Sequence, residues 1–581
     1  MTSTRWNALS ARTAVPVSLA VVQALLILGP GLGRGVVITH DMAWSPAPRW
    51  TPFVVGLDTP APRAVPSDAF AVLVGKVLGA SLAQHVILLA ILIGLALGVV
   101  ALLAELLPAA GTLARCVAAL AAVWNPFVSE RLAVGQWAVL LGLAVLPWAI
   151  RLALRVVSGK PSAYAVVLTI VCAAVGGVNS LLVVSGSVLL VLLAAAVGDR
   201  SGHSLRVAAL GLAVTICASG AWAFPALTSP PPTSGEGVRA FAPVADSPIG
   251  VLGSLLGGGG FWNTGTHPEA RSHALIAITA ALLMTVGVAA AVARAPGRLR
   301  WCLALPVLVL TGVVMVSALG FLAPVWEAVV TGLPGGGALR DSHKLLSLWV
   351  VVGATGLGVV SHEARTRLPE GVLIPVAGLL VGLPLVLSPQ MAWGLGGRLD
   401  AVVVPAGYLS DVDALAELPA GDVGLLPWSQ YRRYAWNADR VSLTLAPRVI
   451  DRVVVYDDSL PLRSGSVPGE SARAAEVSGR IAAGASPEQA VAAAGVRYVA
   501  AELGSSQEVD TTQLRALGAV VVDGPDLLVV DLGAQPRSTS GHVALLLGWT
   551  VTLLTLVGAL GWRGVVRVTA KLPVGLLRSR P

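Results

Sequence analysis

Apolar stretches long enough to cross a bilayer alternate along this chain with polar connections of very unequal length. The apolar runs cover, approximately, 14–31, 82–106, 112–125, 136–152, 162–177, 180–197, 206–224, 273–293, 301–319, 345–361, 372–388 and 541–561. A hydrocarbon core of about 30 Å takes about 20 apolar residues as a helix, so the pattern predicts a polytopic α-helical membrane protein with about twelve transmembrane helices. The first run follows Arg5 and Arg12 and lacks a clear A-x-A cleavage site. It therefore reads as an uncleaved first helix with its N-terminus inside.

Short cytoplasmic loops carry an excess of Lys and Arg. Counting from an inner N-terminus, one side of the membrane receives Arg115, 151–160, 199–206, 294–300, 365–367 and the tail 563–580, most of them rich in arginine. Both termini then lie in the cytoplasm, and the expected location is the plasma membrane. The other side receives 32–81, 125–136, 177–180, 225–272, 320–344 and 389–540. These longer connections hold Trp, Asn, Asp and His residues that a bare connection does not need, and function concentrates in loops.

Two outer pieces have a pattern of their own. Residues 67–79 (SDAFAVLVGKVLG) are apolar but short, which suits a helix lying flat in the interface, with Ser67 as candidate N-cap. Within 389–540, the apolar runs GDVGLLP, VIDRVVVY, VRYVAAEL, GAVVVDG and LLVVDL are interspersed with helical stretches such as ESARAAEVSGRIAAG. That alternation predicts a small extracytoplasmic α/β domain before the last helix. The expected division is 1–388 for the membrane region with its outer loops, 389–540 for the α/β domain, and 541–581 for the final helix and basic tail. The glycine-rich 254–265 (SLLGGGGFWNTG) does not follow a strand and open a helix, so it is no phosphate-binding loop.

Composition sharpens the picture. The chain is 55% hydrophobic and 12% charged, with a mean hydropathy of +0.79. Its net charge of +8 lies mostly in arginines of short loops that set topology, so nucleic acid is not an expected partner. Lysine occurs only at 76, 160, 344 and 571. The cysteines 116, 172, 217 and 302 sit in apolar runs without partner spacing, which predicts neither a disulfide nor a zinc site.

Few residues carry candidate chemistry. Asp41 leaves the first span in ITHDMAWSP, next to His40. An acid beside a low-dielectric wall suits a general base or a ligand, and the alternative is an exposed loop acid. The outer tip WNPFVSERLAVGQW (124–137) offers Glu130, Arg131 and Gln136, either as a surface ion pair or as polar groups aimed at a cavity beside Asp41. In GGVNS (176–180), Asn179 reads first as a turn residue. The segment GGGALRDSHKLLSLW (335–349) places Arg340, Asp341, His343 and Lys344 where an outer loop enters a helix. Asp341 or Ser342 would cap that helix. Arg340 and Lys344, four apart, would face one pocket and suit a phosphate or pyrophosphate headgroup. In 425–440 (LLPWSQYRRYAWNADR), aromatic and polar side chains interleave, which suits sugar faces or the packing of the outer domain onto the membrane part. Asp457 and Asp458 form a weak acidic pair in a turn.

Taken in order, HDMAWSP after the first helix, NPFVSERLAVGQW, RDSHK opening a late helix, and LLPWSQYRRYAWN with AGVRYVAAE in an outer α/β domain resemble the GT-C class of membrane glycosyltransferases. The likeness is to the actinobacterial-type proteins of that class and their YfhO-like relatives. The resemblance implies transfer of a sugar, with inversion, from a polyprenyl-phosphate donor to an envelope glycan, lipid or protein on the outer face. It implies Asp41 as general base, Arg340 and Lys344 as phosphate holders, and 67–79 as an interfacial helix at the lipid entry. Binding roles are expected for His40, Glu130, Arg131, Gln136, Asp341 and His343 beside them. Many such enzymes carry two acids in the first loop. Here Asp41 stands alone, with Asp58 and Asp68 further on, and a divalent cation is the one cofactor left open. The alternative is a non-catalytic protein for transport or assembly of lipid-linked envelope glycans. Coupled transport calls for ionisable residues along mid-helix paths, and only Glu105, Arg115 and His85 lie near or within runs, singly.

Overall fold

The computed structural model describes residues 2–569 except 59–61, 63–64, 200, 229–232, 334, 463–464 and 534–541. Arg200 and the basic tail beyond 569, both assigned above to the inner side, lie outside the described residues. Among the described residues ten helices are long and apolar enough to span a bilayer, or eleven if the bent pair His203–Ala218 and Gly220–Thr228 is counted as one span. The apolar run 162–177 becomes the helix Ala163–Ala174. At 1.5 Å per residue its 12 residues reach only about 18 Å, short of a hydrocarbon core. This is a multi-pass membrane protein.

Ser347–Arg367 is the most enclosed span, packed against Ala274–Arg294, Thr112–Val123 and Ala80–Leu106. Glycine lets backbones touch there: a Cβ on Gly356 would run into the Gly287 carbonyl. The outer tip 124–137 is not at the surface. Asn125 caps the helix Pro126–Ala133, its side chain accepting from Val128 N at 3.0 Å, and that helix is buried along its whole length as the continuation of Thr112–Val123. Glu130 and Arg131 therefore sit inside the protein.

The five apolar runs of the outer region are the five strands of one sheet, in the order Ala519–Asp523, Leu527–Asp531, Tyr498–Glu502, Val423–Leu426, Val454–Val455. The last three strands in that order run parallel. Tyr498–Glu502 and Val423–Leu426 are buried on both faces, which is why they read as continuous hydrophobic runs. The predicted helix in 470–484 is Ala472–Ala482, capped by Ser471. The expected interfacial helix is Ser67–Leu78; Pro66, not Ser67, occupies the cap position, without a side-chain bond.

The outer region is stitched to the first loop. Val36–Thr39 and Met42–Ala43 form a hairpin whose two-residue turn is His40-Asp41. Val36 and Val37 also pair with Val402 and Ala401. His40 N donates to Val441 O at 2.7 Å and Leu443 N to His40 O at 2.8 Å, joining the turn to a second hairpin, Tyr431–Arg433 with Val441–Leu443. That second hairpin is anchored on the sheet by Glu502. The buried Glu502 carboxylate accepts from Tyr408 at 2.7 Å, Tyr434 at 2.6 Å, Thr444 at 3.1 Å and Arg432.

Breaking a buried ion pair from one side leaves an uncompensated charge, at a cost of about 3–5 kcal/mol. Glu502→Ala strands Arg432, which is fully buried. A fall of that size in unfolding free energy is the expected outcome, followed by denaturant titration of the solubilised protein. An unchanged midpoint would show that the hairpin does not hang on this carboxylate.

Candidate active site

Asp41 is placed by backbone as much as by side chain. Its N–H donates to Val134 O at 2.9 Å, and Gly135 takes a left-handed φ of +78° directly beneath the hairpin. A Cβ on Gly135 would stand 2.5 Å from Met42 Cβ and 2.6 Å from Thr39 O, so only glycine permits this approach. The turn residue His40 has a positive φ of 39°. A two-residue hairpin turn commonly requires such a backbone in its first position.

The two carboxylate oxygens of Asp41 are each held once. Tyr431 Oη donates to Oδ1 at 3.0 Å and Gln136 Nε2 to Oδ2 at 3.0 Å. Each oxygen keeps further acceptor capacity, since an ionised carboxylate offers about four lone-pair sites. Behind Gln136 stands Arg131, which donates to Gln136 Oε1 and, from both terminal nitrogens, to Asp341 at 2.6 and 3.2 Å. Arg131 also contacts His343 Nδ1 at 3.0 Å, and His343 Nε2 meets Gly259 O at 3.1 Å.

One cavity of about 400 Å³ opens between the membrane helices and the outer region. Asp41, Gln136, Asp341, Arg340 and Lys344 all line it, together with Asn179 and Tyr431. Lys344 is buried; its ammonium donates to Asn179 Oδ1 at 2.5 Å and to the Ala338 carbonyl. The guanidinium of Arg340 stacks over Phe241 at 4.6 Å and lies 3.9 Å from Glu470. Asp68, paired with Arg448 at 2.8 Å, lines the same cavity from the helix Ser67–Leu78.

Four of the sequence candidates do not reach the cavity wall. Arg131 and His343 stand behind it. Glu130 is wholly buried near Asp246, whose carboxylate is bound by Arg271 at 2.5 and 2.9 Å. His40 faces away; burial pushes its pKa down, Asp41 pulls it back up, and Arg398 and Arg433 lower it further. Asp341 occupies the cap position of the 3-10 turn Ser342–Leu346 but makes no side-chain capping bond, because its carboxylate is committed to Arg131. Sequence reasoning undervalued Asn179 and Tyr431. Asn179 begins a span at the outer face, and Tyr431 lies in the aromatic cluster, but only the folded chain brings them to Lys344 and Asp41.

Among the described residues no three His, Cys, Asp or Glu side chains group closely enough to hold a metal ion.

No family model matches the chain, and no curated protein sequence matches it. Solved structures do. The arabinofuranosyltransferase AftD from mycobacteria superposes with a TM-score of 0.57 at 15% identity, over 90% of this chain and 40% of that one. The fold is that of the GT-C membrane glycosyltransferases. Lower superpositions are found with ArnT from Cupriavidus metallidurans, at 0.43 and 14% identity over 92% of this chain and all of that one. The Archaeoglobus fulgidus oligosaccharyltransferase overlaps at 0.37 and 12% identity, over 85% of this chain and 69% of that one. This chain spans about two-fifths of the length of AftD.

The Arg131–Asp341 pair gives the GT-C fold a pH signature. Burial pushes the Asp341 carboxyl up, but the charge and hydrogen bonds of Arg131, helped by Lys344 and His343, outweigh it and hold the group below its ordinary value of 3.8. A depressed folded pKa contributes stability that is present above the unfolded value and lost as pH falls through the folded one. Below about pH 4, wild-type stability is therefore expected to fall more steeply than that of Asp341→Asn. Thermal midpoints of the two proteins between pH 3 and 7 check this, and parallel curves would remove Asp341 from the acid response.

Proposed function

We propose that this protein is a membrane glycosyltransferase that moves a sugar, with inversion, from a polyprenyl-phosphate donor to an envelope glycan, lipid or protein on the outer face of the plasma membrane. The observation that carries the reading is the single cavity shared by Asp41, Arg340 and Lys344 at the seam between the spans and the outer region. The GT-C fold supports it.

In this reading the acceptor hydroxyl lies against Asp41, which removes its proton as the oxygen attacks the anomeric carbon. The bond from that carbon to the lipid phosphate breaks, and the electron pair leaves with the phosphate. Lys344 and Arg340 hold the charge that develops there. Cations preset where charge appears lower the barrier, because they need no reorganisation during the step. Tyr431 and Gln136 fix the direction of the Asp41 carboxylate. In this reading the lipid enters beside the helix Ser67–Leu78, whose Asp68 lines the same cavity.

The test is transfer of label from a radiolabelled polyprenyl-phosphate sugar in membranes holding wild type or variants. A positioned base contributes about 10²–10⁴-fold, so Asp41→Asn is expected to lose transfer by that factor while still binding donor. Lys344→Ala is expected to lose donor binding. If wild type binds donor through Lys344 yet transfers nothing to any envelope acceptor, the protein is a binding or assembly partner for lipid-linked glycans instead.

A further inference from the structure

Arg131 has no exposed surface, yet two candidate functional elements hang on it from opposite sides. Through Nη1 it holds Gln136 Oε1, and Gln136 holds Asp41. Through Nη1 and Nη2 it clamps Asp341, three residues before Lys344 and next to Arg340. Its remaining contact fixes a neutral histidine. The Gly259 carbonyl only accepts, so His343 Nε2 carries the proton and Nδ1 is bare to accept from Arg131 Nη2. The ring centroids of Phe261 and Phe127 lie 4.2 and 5.4 Å from the guanidinium, which has no solvent to turn into.

We propose that Arg131 is a positioning residue that couples occupancy of the cation pocket at Lys344 to the orientation of Asp41. The inference rests on the reading of Asp41 and Lys344 given above. A phosphate drawn to Lys344 acts on the segment 341–344. The displacement reaches Asp41 through three links, Asp341 to Arg131, Arg131 to Gln136, and Gln136 to Asp41. Coupling of this kind is reciprocal, so the state of Asp41 is felt at the phosphate site with equal strength. A lysine at 131 keeps the charge and loses the planar fork that reaches both neighbours at once.

The experiment is a mutant cycle on the full chain in nanodiscs, reading the dissociation constant of a radiolabelled polyprenyl phosphate. Gln136→Leu and Asp341→Asn touch the guanidinium from its two sides. Residues in one network depart from multiplicative behaviour, so the pair is expected to differ from the product of the singles by about tenfold. In an Arg131→Lys background the same pair is expected to multiply within about twofold, because the link has gone. Turnover of the lipid-linked sugar by Arg131→Lys is expected to fall in kcat more than its KM rises, a split that loss of folded protein does not produce.

A pair that multiplies in the wild-type background overturns the inference, as does a departure that survives Arg131→Lys. Where Arg131→Lys does not accumulate in the membrane, the cycle in the wild-type background decides alone. Binding without turnover by the wild type counts against the transfer reaction and leaves the cycle readable. No binding by the wild type removes the donor site and the coupling together.

Discussion

A guanidinium shut away from water must find a partner for its charge and for its donors, or the fold does not form. Arg131 meets most of that demand with one carboxylate, one amide, one imidazole and two aromatic rings, and its Nε has no hydrogen-bond partner among the described residues. Beyond Phe127 of its own helix, the partners come from three other stretches of chain: Asp341 and His343 from the entrance to the most enclosed span, Phe261 from the glycine-rich loop, Gln136 from the turn before the next helix. Satisfying Arg131 thus fixes the relative placement of four segments. The cavity wall that carries Gln136, Asp341 and Lys344 is the surface of this arrangement. Glu130, the next residue, is equally buried, but neither of its oxygens has a hydrogen-bond partner among the described residues.

The second constraint comes from outside the membrane part. A two-residue hairpin exposes backbone donors and acceptors on its edge, and those of His40 are taken up by Val441 and Leu443 of the outer region. The acid at the turn is therefore held between two bodies of structure, with Val134 below and Tyr431 above. This explains why the outer α/β region is more than an appendage. Through Glu502, Arg432 and the short hairpin after Val423–Leu426, the sheet determines where the Tyr431 hydroxyl sits, and that hydroxyl bonds Asp41.

Much of this was legible in the sequence where the signal is local. The strands Tyr498–Glu502 and Val423–Leu426 appear as continuous apolar runs because covering both faces of a sheet removes the polar alternation, whereas Ala519–Asp523 is an apolar run at the sheet edge that stays largely exposed. Ser67–Leu78 is legible because a short apolar run with a terminal lysine neither spans a bilayer nor stays in solution. Arg340 and Lys344 were legible as a pair from their spacing of four, although the backbone between them is not helical at Asp341, where ψ is 78°, and it is the shared cavity that brings them together. What stayed hidden is what depends on distant partners. Nothing in NPFVSERLAVGQW tells a surface ion pair from a buried one, because the partner of Arg131 lies 210 residues away. The capping role expected for Asp341 gave way to that distant guanidinium, whose fixed charge outbids a backbone N–H. Tyr431 is 390 residues from Asp41, and no periodicity spans that separation.

The charges around the cavity sort themselves by how well they are answered. Arg448 has Asp68 at 2.8 Å, Arg473 has Asp422 at 2.6 Å, and Asp341 is consumed by Arg131. Arg340 lies 3.9 Å from Glu470 and over the Phe241 ring. Lys344 bonds neutral oxygens, one from Asn179 and one from a carbonyl, and among the described residues it enters no ion pair. A buried ammonium bonded to dipoles alone is a costly thing to keep, and burial without a counter-charge is tolerated where a ligand supplies it. An anion arriving at Lys344 finds Arg340 on the same wall and Asp41 across the same cavity. In the proposed reading a lipid phosphate adds a negative charge at Lys344 while its sugar faces Asp41, so the charge of the resting site and the chemistry of the proposed donor agree.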